Sequence, residues 1–225
     1  MDIVGRMGYW RRRFVCNQES IPRTNLRLPE ARIERLSVVS RHEPIKIQQT
    51  LRAAEGYLDL IQVFADRWPL RERTRNVIAQ RVLDLLTELP SRPKYVGRAH
   101  YLQGEALRSM ERHREAIDLF RVAEIEHPGQ LHVLLALGWC YKRIGHLDDA
   151  IEALEDALCV HPDEGILNYN LACYWSLAGE TEIALQYLSQ AFEIEPSYRD
   201  MVVQEPDFDS IRNDTRFQAL TSLIV

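Results

Sequence analysis

The chain has 225 residues, 46% of them hydrophobic, with 28 Lys and Arg against 33 Asp and Glu and a formal net charge of −5. That is apolar material for one elongated domain or two small ones, and with no run of about 18 apolar residues a membrane-spanning helix is excluded. The four cysteines show no CxxC or metal-ligand spacing, and no apolar stretch follows the N-terminal arginines. Small buried thiols in a reducing cytoplasm, without a secretory signal, are therefore expected.

Residues 1–47 lack a sustained helical period and are expected to form a basic, disordered extension. The exceptions are a weak apolar stripe over 29–39 (Ala31, Ile33, Leu36, Val39) and the run Trp10 to Phe14, whose arginines and aromatics are of the kind that engage phosphates and stack on bases. Residues 48–96 predict a degenerate helical hairpin. Leu51, Ala54, Tyr57, Leu58 and Ile61 share one helix face to about Ala65, Pro69 is placed to open a second helix, and Ile78, Val82, Leu85 and Leu89 line it up to Pro90. Arg67, Arg71, Arg73 and Arg75 cluster at the junction and predict a solvated edge. Charge divides along the chain: residues 1–96 hold 18 basic against 11 acidic side chains, and residues 97–225 hold 10 against 22.

From residue 97 the chain repeats itself. In 131–164, apolar residues recur every three or four places in two helix-length runs separated by Gly145. A step of 34 residues carries Leu137, Gly138, Tyr141, Gly145, Ala150, Leu154, Ala157 and Pro162 onto Leu171, Ala172, Trp175, Gly179, Ala184, Leu188, Ala191 and Pro196. The reverse step gives Gly104, Leu107, Ala116, Phe120, Ala123 and Pro128, with Gln103 and Glu111 departing from the pattern. The small residues let paired helices approach closely, and the large ones fill the space around them. Two Ala and a Pro held in register through 97–130, 131–164 and 165–198 resemble the tetratricopeptide repeat, W-x2-L-G-x2-Y…A-x3-F…P.

The resemblance implies an all-α fold, a right-handed superhelical solenoid of antiparallel helix pairs. Such a stack ends in an apolar face that needs a cover. Residues 199–225 are expected to supply capping helices at about 197–204 and 214–223, with Phe208 and Ile211 pinning the connection and Phe217 and Leu220 facing inward. There is no phosphate loop, HExxH or GxSxG, and His127 and His161 recur only because each precedes a repeat-ending proline. No enzyme activity, catalytic residue, metal site or cofactor is expected.

Function then comes from the concave groove that, in this family, the first helix of each pair lines. By position in the repeat, the groove residues are Arg98, Tyr101, Glu105 and Arg108 with Leu102 and Ser109 in the first unit. The second gives His132, Leu135, Trp139, Lys142 and Arg143 with Ala136, and the third gives Ile166, Tyr169, Asn170 and Cys173 with Ser176 and Leu177. Four cations stand on this lining against one carboxylate, in an acidic surround, which favours an acidic peptide. Leu135 and Trp139 stand where chaperone-binding relatives carry the Lys and Asn of a carboxylate clamp. The expected role is a non-catalytic protein–protein interaction adaptor holding an extended peptide or partner segment. The alternative is a nucleic-acid-associated regulatory factor using the basic N-terminal part. Repeat position names neither the partner nor the oligomeric state.

Overall fold

Apolar side chains at every third or fourth place need a helix to share one face, and among the described residues ten α-helices form. The computed structural model describes residues 43–63, 69–90 and 92–222. The Trp10–Phe14 arm, the stripe over 29–39, Ala65, Arg67 and Trp68 lie outside them. The helices are α1 Glu43–Val63, α2 Glu72–Thr87, α3 Pro93–Ser109, α4 His113–Glu126, α5 Leu131–Arg143, α6 Leu147–Val160, α7 Gly165–Leu177, α8 Thr181–Ile194, α9 Tyr198–Val202 and α10 Thr215–Thr221. A 3-10 turn, Pro206–Phe208, lies between α9 and α10.

The fold is an all-α solenoid. Helices α3 and α4, α5 and α6, and α7 and α8 pack as hairpins, and each hairpin joins the next through α4 against α5 and α6 against α7. Ahead of them α1 pairs with α2 and also lies against α3. Helix α1 begins at Glu43, so the limit drawn at residue 47 falls within it. Ile47 is 3% exposed and belongs to the same buried cluster as Leu51, Ala54 and Leu58.

The recurring alanines lie where helices touch: Ala116, Ala150, Ala157, Ala184 and Ala191 are fully buried and Ala123 nearly so. The turn between paired helices needs a left-handed residue, which Gly145 (φ +78°) and Gly179 (φ +82°) supply without strain. In the first hairpin Glu111 adopts φ +62°, at a cost of about 1 kcal/mol for an L side chain. Its carboxylate accepts a hydrogen bond from Arg75 of α2 at 3.0 Å. Arg75 is therefore half-buried against the solenoid rather than part of a solvated edge.

The repeat-ending histidines tie the stack together. His161 Nε2 lies 2.7 Å from the Gly129 carbonyl oxygen, and a Cβ on Gly97 would come within 2.4 Å of the His127 ring. Closer still to the core, a Cβ on Gly104 would stand 2.5 Å from Cε1 of Phe120, a ring with no exposure. Gly104→Ala gains about 1 kcal/mol of helix propensity but overpacks the joint by about 1–3 kcal/mol. A net loss is expected in chemical denaturation, and a variant more stable than the parent would show that the Phe120 ring yields freely.

At the far end, Phe208, Ile211 and Phe217 are buried; the Phe208 ring meets Tyr169 of the last repeat edge-on, and the Phe217 ring packs on Phe208. Arg212 holds this segment in shape by donating to the carbonyls of Val203 at 3.0 Å and Glu205 at 2.8 Å.

Candidate functional site: the groove of the first helices

Helices α1, α3, α5 and α7 turn one face each toward a shared groove. Its middle is a cavity of about 310 Å³ lined by Gln62 of α1, Tyr101, Glu105 and Arg108 of α3, His132, Leu135, Ala136 and Trp139 of α5, and Ile166, Asn170 and Tyr174 of α7. A second cavity of about 420 Å³ adjoins it, walled by Leu58, Ile61, Arg75, Ser109, Glu111, His113 and Arg143 and sharing Gln62, Glu105, Arg108 and Trp139. A third, about 520 Å³, opens near the starts of α3 and α5 among Glu55, Lys94, Arg98, Tyr101, His127 and His132.

Trp139 stands at the centre. The Arg108 guanidinium lies 5.0 Å from its ring centroid and that of Arg143 5.6 Å, while the His113 ring meets it edge-on at 5.2 Å. Such contacts attract a cation to the ring face and hold the indole in place. Arg108 also donates from Nε and Nη2 to the two carboxylate oxygens of Glu105, at 3.0 and 2.6 Å. Glu105 is 6% exposed, so this bidentate pair is what makes its burial tolerable. Burial opposes the charge on Arg108, and the Glu105 carboxylate outweighs it, so its pKa rises.

Burial, with Arg143 and Arg108 nearby, lowers the pKa of His113 and favours the neutral ring. Burial likewise pushes the Tyr101 hydroxyl up to about 12, with Glu105 adding to it, and Tyr101 packs against His132 at 4.4 Å in a T-shaped contact. His132 is lowered, again by burial first. Among the described residues no group of three or more His, Cys, Asp or Glu side chains is arranged to hold a metal ion, and no helix is long and apolar enough to cross a membrane.

A model of the tetratricopeptide repeat family matches residues 95–158, from α3 nearly to the end of α6. Over those residues the chain carries tetratricopeptide repeats. Its fold is similar to two crystal structures of MamA. One is 19% identical with a TM-score of 0.55, covering 70% of this chain and 78% of that one. The other is 20% identical at 0.51, covering 68% and 87%. MamA from Desulfovibrio magneticus RS-1, residue 41 to its end, is 18% identical at 0.50, covering 70% and 97%. At these identities the likeness is one of fold, a tetratricopeptide solenoid. No curated protein matches the chain.

Within the tetratricopeptide frame, the expected groove residues divide into three groups. Tyr101, Glu105, Arg108, His132, Leu135, Trp139, Ile166 and Asn170 meet around the central cavity, and Arg143 stands beside Trp139 in the next. Arg98 lines the outer cavity, where it is ion-paired with Glu55 and donates from Nε at 2.8 Å. Asn170 turns its amide back to donate to the Ile166 carbonyl at 3.0 Å.

The third group is not groove surface. Tyr169 is 3% exposed and stacks on Tyr198 with centroids 5.0 Å apart, while Phe208 meets it edge-on at 6.0 Å. Cys173 is 2% exposed and Ser176 is hydrogen-bonded to Ser210. The 3-10 turn packs on α7 and covers this stretch. Lys142 is likewise engaged, ion-paired with Asp207 and lying over the Tyr174 ring at 5.6 Å. Burial raises the pKa of the Cys173 thiol, with Asp207 and Glu205 adding to it, so the thiol stays protonated. Leu102 is buried between helices instead of presented in the groove, and Ala136, also buried, shows only a small face to the central cavity.

Sequence reasoning missed Leu58, Ile61 and Gln62 of α1, Arg75 of α2 and His113 of α4. The α1–α2 hairpin does not keep the 34-residue step, so no repeat position marked those residues. His113 opens a second helix, which the family assigns to the outer face.

Proposed function

We propose that this protein is a non-catalytic adaptor that holds an extended, acidic partner segment in the groove of its first helices. The supporting observation is Trp139, a half-buried indole on the groove floor, bracketed by two arginines and open to the cavities on both sides. Aromatic and arginine anchors of this kind dominate binding energy in protein interfaces. Tetratricopeptide repeats support protein–protein interaction as a general role. The third repeat contributes little open surface in this reading, because the chain's own C-terminal segment lies over it. Arg92 and Arg75, from the basic part, are ion-paired with Glu43 and Glu111, which leaves the alternative nucleic-acid reading less free charge to draw on. Cys140 and Cys173 are buried and unbridged, and the proposed location is the cytoplasm.

The test is affinity capture with mass spectrometry on matched variants. Trp139→Ala should weaken the captured partner by about 2 kcal/mol or more, while Asp118→Lys with Asp149→Lys, on exposed positions of the second helices, should leave it in place. Loss on the outer variant and retention on the groove variant would move the interface to α4 and α6.

A further inference from the structure

The groove contains one occupied corner, and it shows what the open corner beside it accepts. In the occupied corner a cation of α5, Lys142, is ion-paired with Asp207 while lying over the Tyr174 ring. The next residue, Phe208, is fully buried against the Tyr169 ring. An acidic residue followed by an aromatic one is thus held by a cation and an aromatic wall. One residue along α5, Arg143 stands over Trp139 in the same cation-on-aromatic arrangement, and nothing from the described residues covers it.

The charges around that corner leave Arg143 over. Arg108 is paired with Glu105 and Arg75 with Glu111, but no described carboxylate lies within ion-pair distance of Arg143. His113, 9% exposed, lines the same cavity with an Nδ1 that has no hydrogen-bond partner. A buried polar atom without a partner is costly, which favours a ligand that brings one. The cavity of about 420 Å³ is larger than an aspartate and a phenylalanine side chain together, and its floor continues past Trp139 to Leu135.

We propose that the Arg143–Trp139 corner takes an acidic–aromatic residue pair from a partner segment, as Lys142 and Tyr169 take Asp207 and Phe208 from this chain. The carboxylate meets the Arg143 guanidinium, within reach of His113, and the aromatic ring lies against Trp139 and Leu135. This rests on the groove reading above and adds the chemistry of what is read there.

The probes are fluorescein-labelled nonapeptides of Gly, Ser and Gln with a central Asp-Phe, Asn-Phe or Asp-Ala, titrated by anisotropy against the full chain. Asp-Phe should bind about tenfold or more tightly than either of the others. Its advantage over Asn-Phe should vanish in Arg143→Gln, return in part in Arg143→Lys, and weaken with added salt. Thermal melts of both variants guard against misfolding. Equal binding of all three peptides, or an Asp-Phe preference that survives Arg143→Gln, overturns the proposal. So does absence of binding by any peptide, or displacement of Asp-Phe by a single-stranded oligonucleotide at lower concentration. None of these touches the groove reading, which falls only if Trp139→Ala leaves the captured partner in place.

Discussion

Phe208→Ala is expected to cost about 3–5 kcal/mol, a loss that also opens a second stretch of groove. The ring has no exposure and contacts Tyr169 on one side and Phe217 on the other, at centroid distances of 6.0 and 5.6 Å. Removing it leaves a cavity under a short turn anchored otherwise by the Lys142–Asp207 pair and the Ser176–Ser210 hydrogen bonds. Those polar contacts are too few to hold the turn down alone, so the segment should detach from α7 before the repeats melt. Thiol labelling separates this from general unfolding. In the parent, the buried Cys173 should resist labelling; in the variant, it should become reactive at a temperature where Cys140, between α5 and its neighbours, does not. An unchanged melt with Cys173 still protected would show that Phe208 does not close the end of the stack.

Ala157→Phe tests the helix joints that the repeat signature describes. Ala157 is fully buried in the continuous core of the repeats, so a benzyl group there should overpack the joint by about 3 kcal/mol or more. Ala153 lies one turn earlier on α6, where the repeat pattern predicts the outer face, but it is half-buried against the same core. Ala153→Phe should therefore be intermediate rather than neutral, because part of the ring has room to point outward. Denaturation curves should rank the parent above Ala153→Phe and that above Ala157→Phe. The reverse order would mean that α6 is rotated about its axis, with Ala153 rather than Ala157 at the joint.

A groove narrowed at one end has consequences for what it holds. With the third repeat covered, the open surface runs from α1 across α3 to α5 and the start of α7. On the proposed reading, a partner segment would meet α1 on one side and the chain's own acidic turn on the other. Of the four cations expected to draw an acidic ligand, Arg98, Arg108 and Lys142 are already paired with carboxylates. On the proposed reading the attraction would be concentrated on Arg143, which would make it short-ranged and sensitive to the position of the ligand's charge rather than to its total.

The helices, their pairing into hairpins and the places where they touch were legible in the order of the amino acids alone. Those features depend on residues within one repeat: Gly104 against Phe120, Gly138 against Leu154, and a left-handed residue at each turn. A spacing of 34 residues reports such local contacts three times over. Which first-helix residues remain open depends instead on how the folded chain returns to cover them. Lys142 and Asp207 are 65 residues apart, and no periodicity connects a repeat position to a turn that follows the last repeat. The place of α1 against α3 was equally hidden, since its hairpin does not keep the repeat's step. Period and spacing carry information about neighbours that recur, whereas a groove is closed or left open by segments that occur once.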